Sequence, residues 1–368
     1  MEPYVPQTLP IETIDWIRHV PLIGKANRAL VRYDGLLQGI VHPEILLSPL
    51  TMREAVLSSR IEGTQASLEE VLEFEAQARA KYETEKQKDI QEIINYRLAM
   101  NSALELLNER PITINMIREL HRILLTSVRG RDREPGQIRR LQNCIAAPGT
   151  PIERAIFVPP APLMVMDALT NWETYLHTEE KDPLVQLAVL KAQFELIHPF
   201  RDGNGRIGRM LVPLILYSKG VLSRPIFYIS AYLDHHRDEY YARLLGVSRD
   251  EDWDGWIAFF LNALVEQAAD NTHKARAILD LYEELKISVP EATRSPYAIQ
   301  AIDAMFSRPI FKRTDFIAES HIPRQSAHRI LQKLQKNGIL TEIQEGRGKR
   351  AAIYSFPRLL DITEGTIP

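Results

Sequence analysis

The chain has 368 residues and one cysteine, Cys144, which leaves no intrachain disulfide and no multi-cysteine zinc site, and points to a reducing compartment. Long apolar runs are also missing. Nothing approaches the ~20 residues of a membrane helix, and the start MEPYVPQTLPIETIDWIRHV lacks the basic segment and apolar stretch of a secretory signal. The expectation is a cytoplasmic protein with no membrane partner. A large net charge is missing as well: 45 Lys+Arg face 48 Asp+Glu, a net charge of -3 that excludes a protein basic throughout but leaves room for a local basic face. The GxxxxGK[ST] pattern is absent, so a P-loop is unsupported.

What is present is ordinary globular composition, 45% hydrophobic and 25% charged. At roughly 150 residues per domain the length implies two to three units. The expected division is 1–95, a wrapping region with prolines at 3, 6, 10, 21 and 43; 96–289, a helical core; and 290–368, a small separate unit. Apolar spacing predicts two helices in LTMREAVLSSRIEGTQASLEEVLEFEAQARA, interrupted at Gly63, the second after a Ser67/Glu70 cap signal. The same spacing predicts helices in QKDIQEIINYRLAMNSALELL, INMIRELHRILL, APLMVMDALTNWETYL, LVQLAVLKAQFELI and IGRMLVPLILYSKG. Between them, two short apolar runs flank Pro148, Gly149 and Pro151, predicting a hairpin flap near 138–160. The last unit reads helix, helix, helix and then a hairpin around Gly346 and Gly348, which suits a winged helix.

The segment HPFRDGNGRIGR breaks two apolar helices with polar residues and glycine, a costly arrangement unless a ligand uses it. Gly203, Asn204 and Gly205 can turn the chain and aim several N–H groups at one phosphate. Arg206 and Arg209 leave the next helix three residues apart as guanidinium forks. Asp202 among phosphates calls for a divalent cation, and Mg2+ needs only one or two carboxylates beside phosphate oxygens. His198 is the nearby group able to take a proton near neutral pH. Together these residues suit transfer of part of a nucleotide. GNGRIG also satisfies G-x-G-x-x-G, but a helical run precedes it where that fingerprint requires a strand. His198 with Asp202 lacks the further ligands of a zinc site.

These residues resemble the Fic (filamentation induced by cAMP) family, whose core motif His-x-Phe-x-Asp/Glu-Gly-Asn-Gly-Arg-x-x-Arg is met by His198, Phe200, Asp202, Gly203, Asn204, Gly205, Arg206 and Arg209. The resemblance implies a mostly α fold, a Fic-type helical core with a small β-hairpin flap, and protein adenylyltransferase activity. Mg-ATP would donate AMP to a Ser, Thr or Tyr hydroxyl of a target protein, and diphosphate would leave. His198 would be the base, Asp202 the Mg2+ ligand, Phe200 an anchor for the loop, Gly203, Asn204 and Gly205 the phosphate holders, and Arg206 and Arg209 the clamps for the β and γ phosphates. The family's restraining Ser/Thr-x-x-x-Glu-Gly/Asn helix is similar to Ser58, Glu62 and Gly63 in SSRIEG, implying that Glu62 pairs with Arg209 where the γ phosphate would lie. The flap would hold a target segment by strand pairing, and Tyr240 is a candidate contact for the base. His235 and His236 read as structural or nucleotide contacts, and Cys144 as filler.

From 309 to 356 there are nine Lys+Arg against four Asp+Glu, gathered around Arg324, His328, Arg329, Arg347, Lys349 and Arg350. DNA is one expected partner of this unit. Protein binding or a homodimer contact is the other. Two alternatives to a self-inhibited adenylyltransferase stand beside it: a DNA-binding regulator that senses a nucleotide, and an enzyme that also removes AMP.

Overall fold

The computed structural model describes residues 2–77, 84–126, 133–146, 151–347 and 351–365. The predicted flap tip at Pro148 and Gly149, and Gly348, Lys349 and Arg350 of the predicted wing, lie outside the described residues. The fold is mostly α. Along the chain come α1 (Trp16–Gln38), α2 (Pro43–Leu46), α3 (Ser48–Ile61), α4 (Leu68–Gln77), α5 (Thr84–Leu107), α6 (Ile114–Leu124), α7 (Pro162–His177) and α8 (Pro183–Ile197). They are followed by α9 (Asn204–Ser218), α10 (Ser230–His235), α11 (Arg237–Asp250), α12 (Trp253–Thr293) and α13 (Ala298–Ser307). The chain closes with β1 (Ile310–Lys312), α14 (Arg313–Ser320), α15 (Arg324–Lys336), β2 (Thr341–Gln344), β3 (Ile353–Ser355) and α16 (Pro357–Glu364). Two compact units result: one of Met1–Asp34, Leu57–Thr64 and Gln91–Ala269, the other of Gly35–Val56, Gln65–Ile90 and Asp270–Pro368.

In the first unit α8 is the central rod, packed by α7, α9 and α11. Every residue from Leu184 to Ile197 is buried, which is why its sequence is apolar all round instead of striped. Its buried amides donate to backbone carbonyls: Gln186 to those of Tyr175 (2.7 Å) and Thr178 (3.0 Å), and Gln193 to that of Gln7 (2.7 Å), although Gln193 Oε1 accepts no bond. Trp172 and Trp256 donate in turn to the α8 carbonyls of Leu190 and Ala188. Asp182 caps the start of α8 through the N–H groups of Leu184 and Val185.

The proline-bearing start runs extended along this unit, with Tyr4 donating to Val158 and Leu9 exchanging two hydrogen bonds with Asn171. The 23-residue α1 that follows was not anticipated from the sequence. Pro21 suggested a break there, but it lies in the second turn, where it removes one intrahelical donor and the remaining length carries the helix. Among the described residues of the predicted flap, Ile145 and Phe157 form an antiparallel bridge, and a 3-10 turn lies at Ile152–Arg154.

In the second unit, the Ser67/Glu70 capping box forms as its spacing predicts, Ser67 N–H to Glu70 at 2.9 Å and Glu70 N–H to Ser67 Oγ at 3.2 Å. Its C-terminal part runs helix, strand, helix, helix, strand, strand, helix, from α13 to α16. The sheet is antiparallel in the order β1-β3-β2, with a bulge between Glu342 and Gln344.

Candidate active site

The polar break falls between α8 and α9, as the sequence suggests. His198 ends α8 in the left-handed conformation (φ 49°), and Gly203 precedes α9 in the same region (φ 77°). Two residues with no part in the sequence reading hold this turn. Arg139, buried, donates to the carbonyls of His198 (2.9 Å), Pro160 (2.5 Å) and Ile197 (3.4 Å), satisfying the exposed carbonyl end of α8. Burial without a carboxylate partner pulls its guanidinium down to about 10. His121 of α6 stacks on Phe200 at 3.8 Å, bonds to the Asp202 carbonyl through Nε2 (2.9 Å) and accepts the Gly136 N–H at Nδ1 (2.8 Å). That pair of bonds fixes a neutral Nε2–H imidazole, and burial lowers its pKa to about 4. A signal for His121 did exist: it sits on the apolar face of INMIRELHRILL beside Ile117, Leu120 and Leu124.

Asn204 departs from the expected role of phosphate holder through its side chain. Its Oδ1 accepts the Phe200 N–H (2.8 Å) and its Nδ2 donates to the Phe200 carbonyl (2.9 Å), so the amide closes the loop on itself. Only its backbone N–H, in the first turn of α9, is placed for an anion. Asp202 accepts the Gly203 N–H (2.6 Å) and Arg206 Nη2 (3.4 Å), and its side chain is 48% exposed. Arg206 also pairs with Glu92 at 3.1 Å, while its buried Nε has no partner. His198 Nδ1 faces the Glu195 carbonyl at 3.3 Å, which leaves the lone pair on Nε2, and burial lowers its pKa from the ordinary 6.5.

The segment Leu57–Thr64 brings Glu62 to these residues. The helix stops there by a Schellman arrangement, Thr64 N–H to the Ser59 carbonyl (3.2 Å) and Gly63 N–H to the Arg60 carbonyl (2.9 Å), with Gly63 at φ 104°. Glu62 is thus the last residue before the reversal, and its carboxylate meets Arg209 Nη2 at 2.6 Å. Arg209, 1% exposed, adds bonds to Ser58 Oγ (2.9 Å) and the Ser58 carbonyl (2.8 Å). Burial acts to raise the Glu62 carboxyl, and the guanidinium outweighs it, so its pKa is lowered while that of Arg209 is raised. The pair is ionised. A Cβ on Gly205 would lie 2.1 Å from Glu62 Oε1, so the carboxylate rests directly on the first turn of α9. At the carbonyl end of its own helix a carboxylate is disfavoured, and at the N–H end of α9 it is favoured.

A cavity of about 560 Å³ opens beside this pair, lined by Glu62, Glu195, His198, Gly205, Arg209 and Tyr240 among others, with Ile145 and Phe157 of the flap at its edge. Tyr240 is buried, and its hydroxyl is held by Lys191 (3.0 Å), itself paired with Glu195. His235 and His236 stack edge-on at 4.9 Å, with Tyr232 against His236. Cys144 is half-buried.

An anion and a cation both fit this donor set. The carboxylate on the α9 terminus marks the anion position. Among the described residues no cluster of three or more His, Cys, Asp or Glu could hold a metal alone. One carboxylate, Asp202, remains for a cation that phosphate oxygens would also ligate.

Comparison with known proteins points the same way. The model "Fic/DOC family N-terminal" matches residues 20–105 and "Fic/DOC family" matches 111–216, together about half of the chain. Protein adenylyltransferase fic-1 of Caenorhabditis briggsae is 32% identical over 136 residues, covering 34% of this chain and 25% of the relative. A probable protein adenylyltransferase of Aquifex aeolicus is 39% identical over 70 residues, 19% of this chain and 22% of the relative. The chain therefore matches about a quarter of the length of these curated relatives. In fold it is similar to a Fic family protein from Desulfovibrio desulfuricans, with a TM-score of 0.58 and 19% identity over 97% of this chain and 98% of that one.

Proposed function

The chain belongs to the Fic/DOC family, and from that premise we propose that it is a self-restrained protein adenylyltransferase that moves AMP from Mg-ATP to a Ser, Thr or Tyr hydroxyl of a target protein. The observation that carries this reading is Glu62: a carboxylate already rests on Arg209 and on the first turn of α9, where a polyphosphate would bind.

With Glu62 withdrawn, Arg209 and Arg206 hold the β and γ phosphates, and the N–H groups at the start of α9 approach them where Gly205 has no side chain. The target segment pairs with the flap backbone near Ile145 and Phe157, which positions a hydroxyl without reading much of its sequence. Nε2 of His198 takes the hydroxyl proton. The oxygen bonds to the α phosphorus as the bond to the bridging oxygen breaks, and diphosphate leaves. Asp202 would hold Mg2+, which neutralises the leaving phosphates. Arg139 and His121 keep the loop in shape and touch no reacting atom.

Removal of AMP from a target is a second reading, because Glu62 lines the cavity beside His198 and can orient a water there. Incubation with labelled ATP and a cell lysate compares wild type, Glu62→Gly, and Glu62→Gly with His198→Ala. Strong labelling of protein by the single variant alone is the expected result, with mass spectrometry giving the acceptor. No label from any of the three refutes transfer. Loss of AMP from a labelled target on adding wild type, but not Glu62→Gly, favours removal.

A further inference from the structure

We propose that the exposed face of α15 is a binding surface for duplex DNA. The proposal is independent of the adenylyl-transfer reading. α14 and α15 are joined by three residues, with His321 in the left-handed conformation (φ 54°) at the corner. This is a helix-turn-helix joint, in which the second helix is the one that enters a groove. Along α15 the positions 325, 328, 329, 332 and 336 are exposed and fall on one face by their spacing, while Ala327, Ile330, Leu331 and Leu334 are buried on the other. The exposed face reads Gln325, His328, Arg329, Gln332 and Lys336, with Arg324 at the helix start and no acidic residue within α15.

Several cations elsewhere in this unit are paired with carboxylates. Arg308 pairs with Glu319 (3.0 Å), Arg358 with Glu284 (2.6 Å), Lys286 with Glu283 (2.9 Å) and Arg347 with Glu345 (2.9 Å), and Lys274 is paired with Asp270 (2.5 Å). Arg324, Arg329 and Lys336 have no such partner among the described residues. No side chain caps the start of α15 either. A phosphate beside Arg324 would therefore meet both a guanidinium and helix N–H groups.

The residue types decide between kinds of nucleic acid. Single strands are held by stacking on exposed aromatics, but Phe311, Phe316, Tyr354 and Phe356 are all buried. Gln and Arg on an exposed helix are the pairings that read adenine and guanine edges in the major groove. At about 1.5 Å per residue, the 13 residues of α15 give a rod of suitable length for that groove. An acidic protein is the competing occupant, and it would not need this alternation of amide and guanidinium.

The test is fluorescence anisotropy of the full chain with a labelled mixed-sequence duplex of about 25 base pairs, between about 50 and 200 mM salt. Wild type is expected to bind at low salt and weaken steeply. Arg324→Ala with Arg329→Ala and Lys336→Ala should bind least and show a slope of log K against log salt shallower by about 2 to 3, since each lost phosphate contact removes about 0.9. Over that salt range the difference amounts to roughly 40-fold. Lys286→Ala with Arg358→Ala, which removes cations already paired, should behave as wild type, and circular dichroism verifies that each variant folds. The proposal is overturned if wild type does not bind at low salt, if the triple variant keeps its affinity and slope, or if a polyglutamate peptide or single strand competes as well as the duplex.

Discussion

The restraint on Arg209 has a second anchor, and cutting it should release the site by a small, calculable amount. Arg60, the penultimate residue of α3, binds Asp234 through Nε (3.0 Å) and Nη2 (2.5 Å), and Arg237 donates to the Ile61 carbonyl (2.8 Å). Both contacts exist only while the segment is docked. Asp234→Asn removes the first without touching Glu62, Arg209 or the loop. The Arg60 side chain is 53% exposed and that of Asp234 19%, so the pair belongs with surface ion pairs worth about 0.5 to 1 kcal/mol. Spread over the docked and released states, this corresponds to about a 2- to 5-fold rise in the released fraction. Glu62→Gly removes a charge-assisted bond to a buried guanidinium, worth about 1.5 to 3 kcal/mol, or roughly 10- to 150-fold. Basal AMP transfer, read as initial rate of label incorporation, should rise in that order: wild type, Asp234→Asn, Glu62→Gly. Higher salt should raise the wild-type rate and leave Asp234→Asn less affected. A rate for Asp234→Asn equal to wild type, or equal to Glu62→Gly, refutes the two-anchor account.

Gly205→Ala in a Glu62→Gly background should lose ATP binding and transfer together, because the added methyl fills the approach to the first turn of α9; calorimetry that finds ATP affinity unchanged contradicts this. The pH profile of Glu62→Gly should stay flat as pH falls through 6.5, the ordinary histidine value, because burial lowers the His198 pKa and the neutral ring is the competent base. Activity is then lost only through that lower value, and an inflection at or above 6.5 would count against His198 as base. His121 is depressed from 6.5 to about 4, so its folded form prefers the neutral ring. Its contribution is complete above 6.5 and disappears between 6.5 and 4, about 3 kcal/mol by linkage. Denaturant titrations of wild type should show that loss, and His121→Gln should show less of it across the same window.

The loop was legible because its chemistry is contiguous. Twelve residues carry the turn, His198, Asp202 and both guanidiniums, so their spacing is visible in the sequence. The Ser67/Glu70 box was readable for the same reason, being a local exchange across one turn. What stayed hidden acts over distance. Arg139 reaches the His198 carbonyl across 59 residues with no periodic mark, and His121, marked only by its place on an apolar helix face, reaches the Asp202 carbonyl across 81. Lys191 and Glu195 sit in an apolar helix as though they were exceptions to it, and their pairing with each other and the Tyr240 hydroxyl explain the lysine. Pro21 misled about α1 because the single donor it removes is outweighed by the rest of a 23-residue helix.

Asn204 spends both ends of its amide on Phe200, so the loop from His198 to Gly203 is closed before any nucleotide arrives. Its ordering entropy is then a cost of folding and not of binding. Under the proposed function, little assembles when ATP enters; one anion replaces another on a finished surface. The apparent affinity for nucleotide becomes the intrinsic affinity scaled by the fraction of time Glu62 is away. Such a protein behaves as a rheostat, its output set continuously by whatever shifts that fraction, with no threshold to cross.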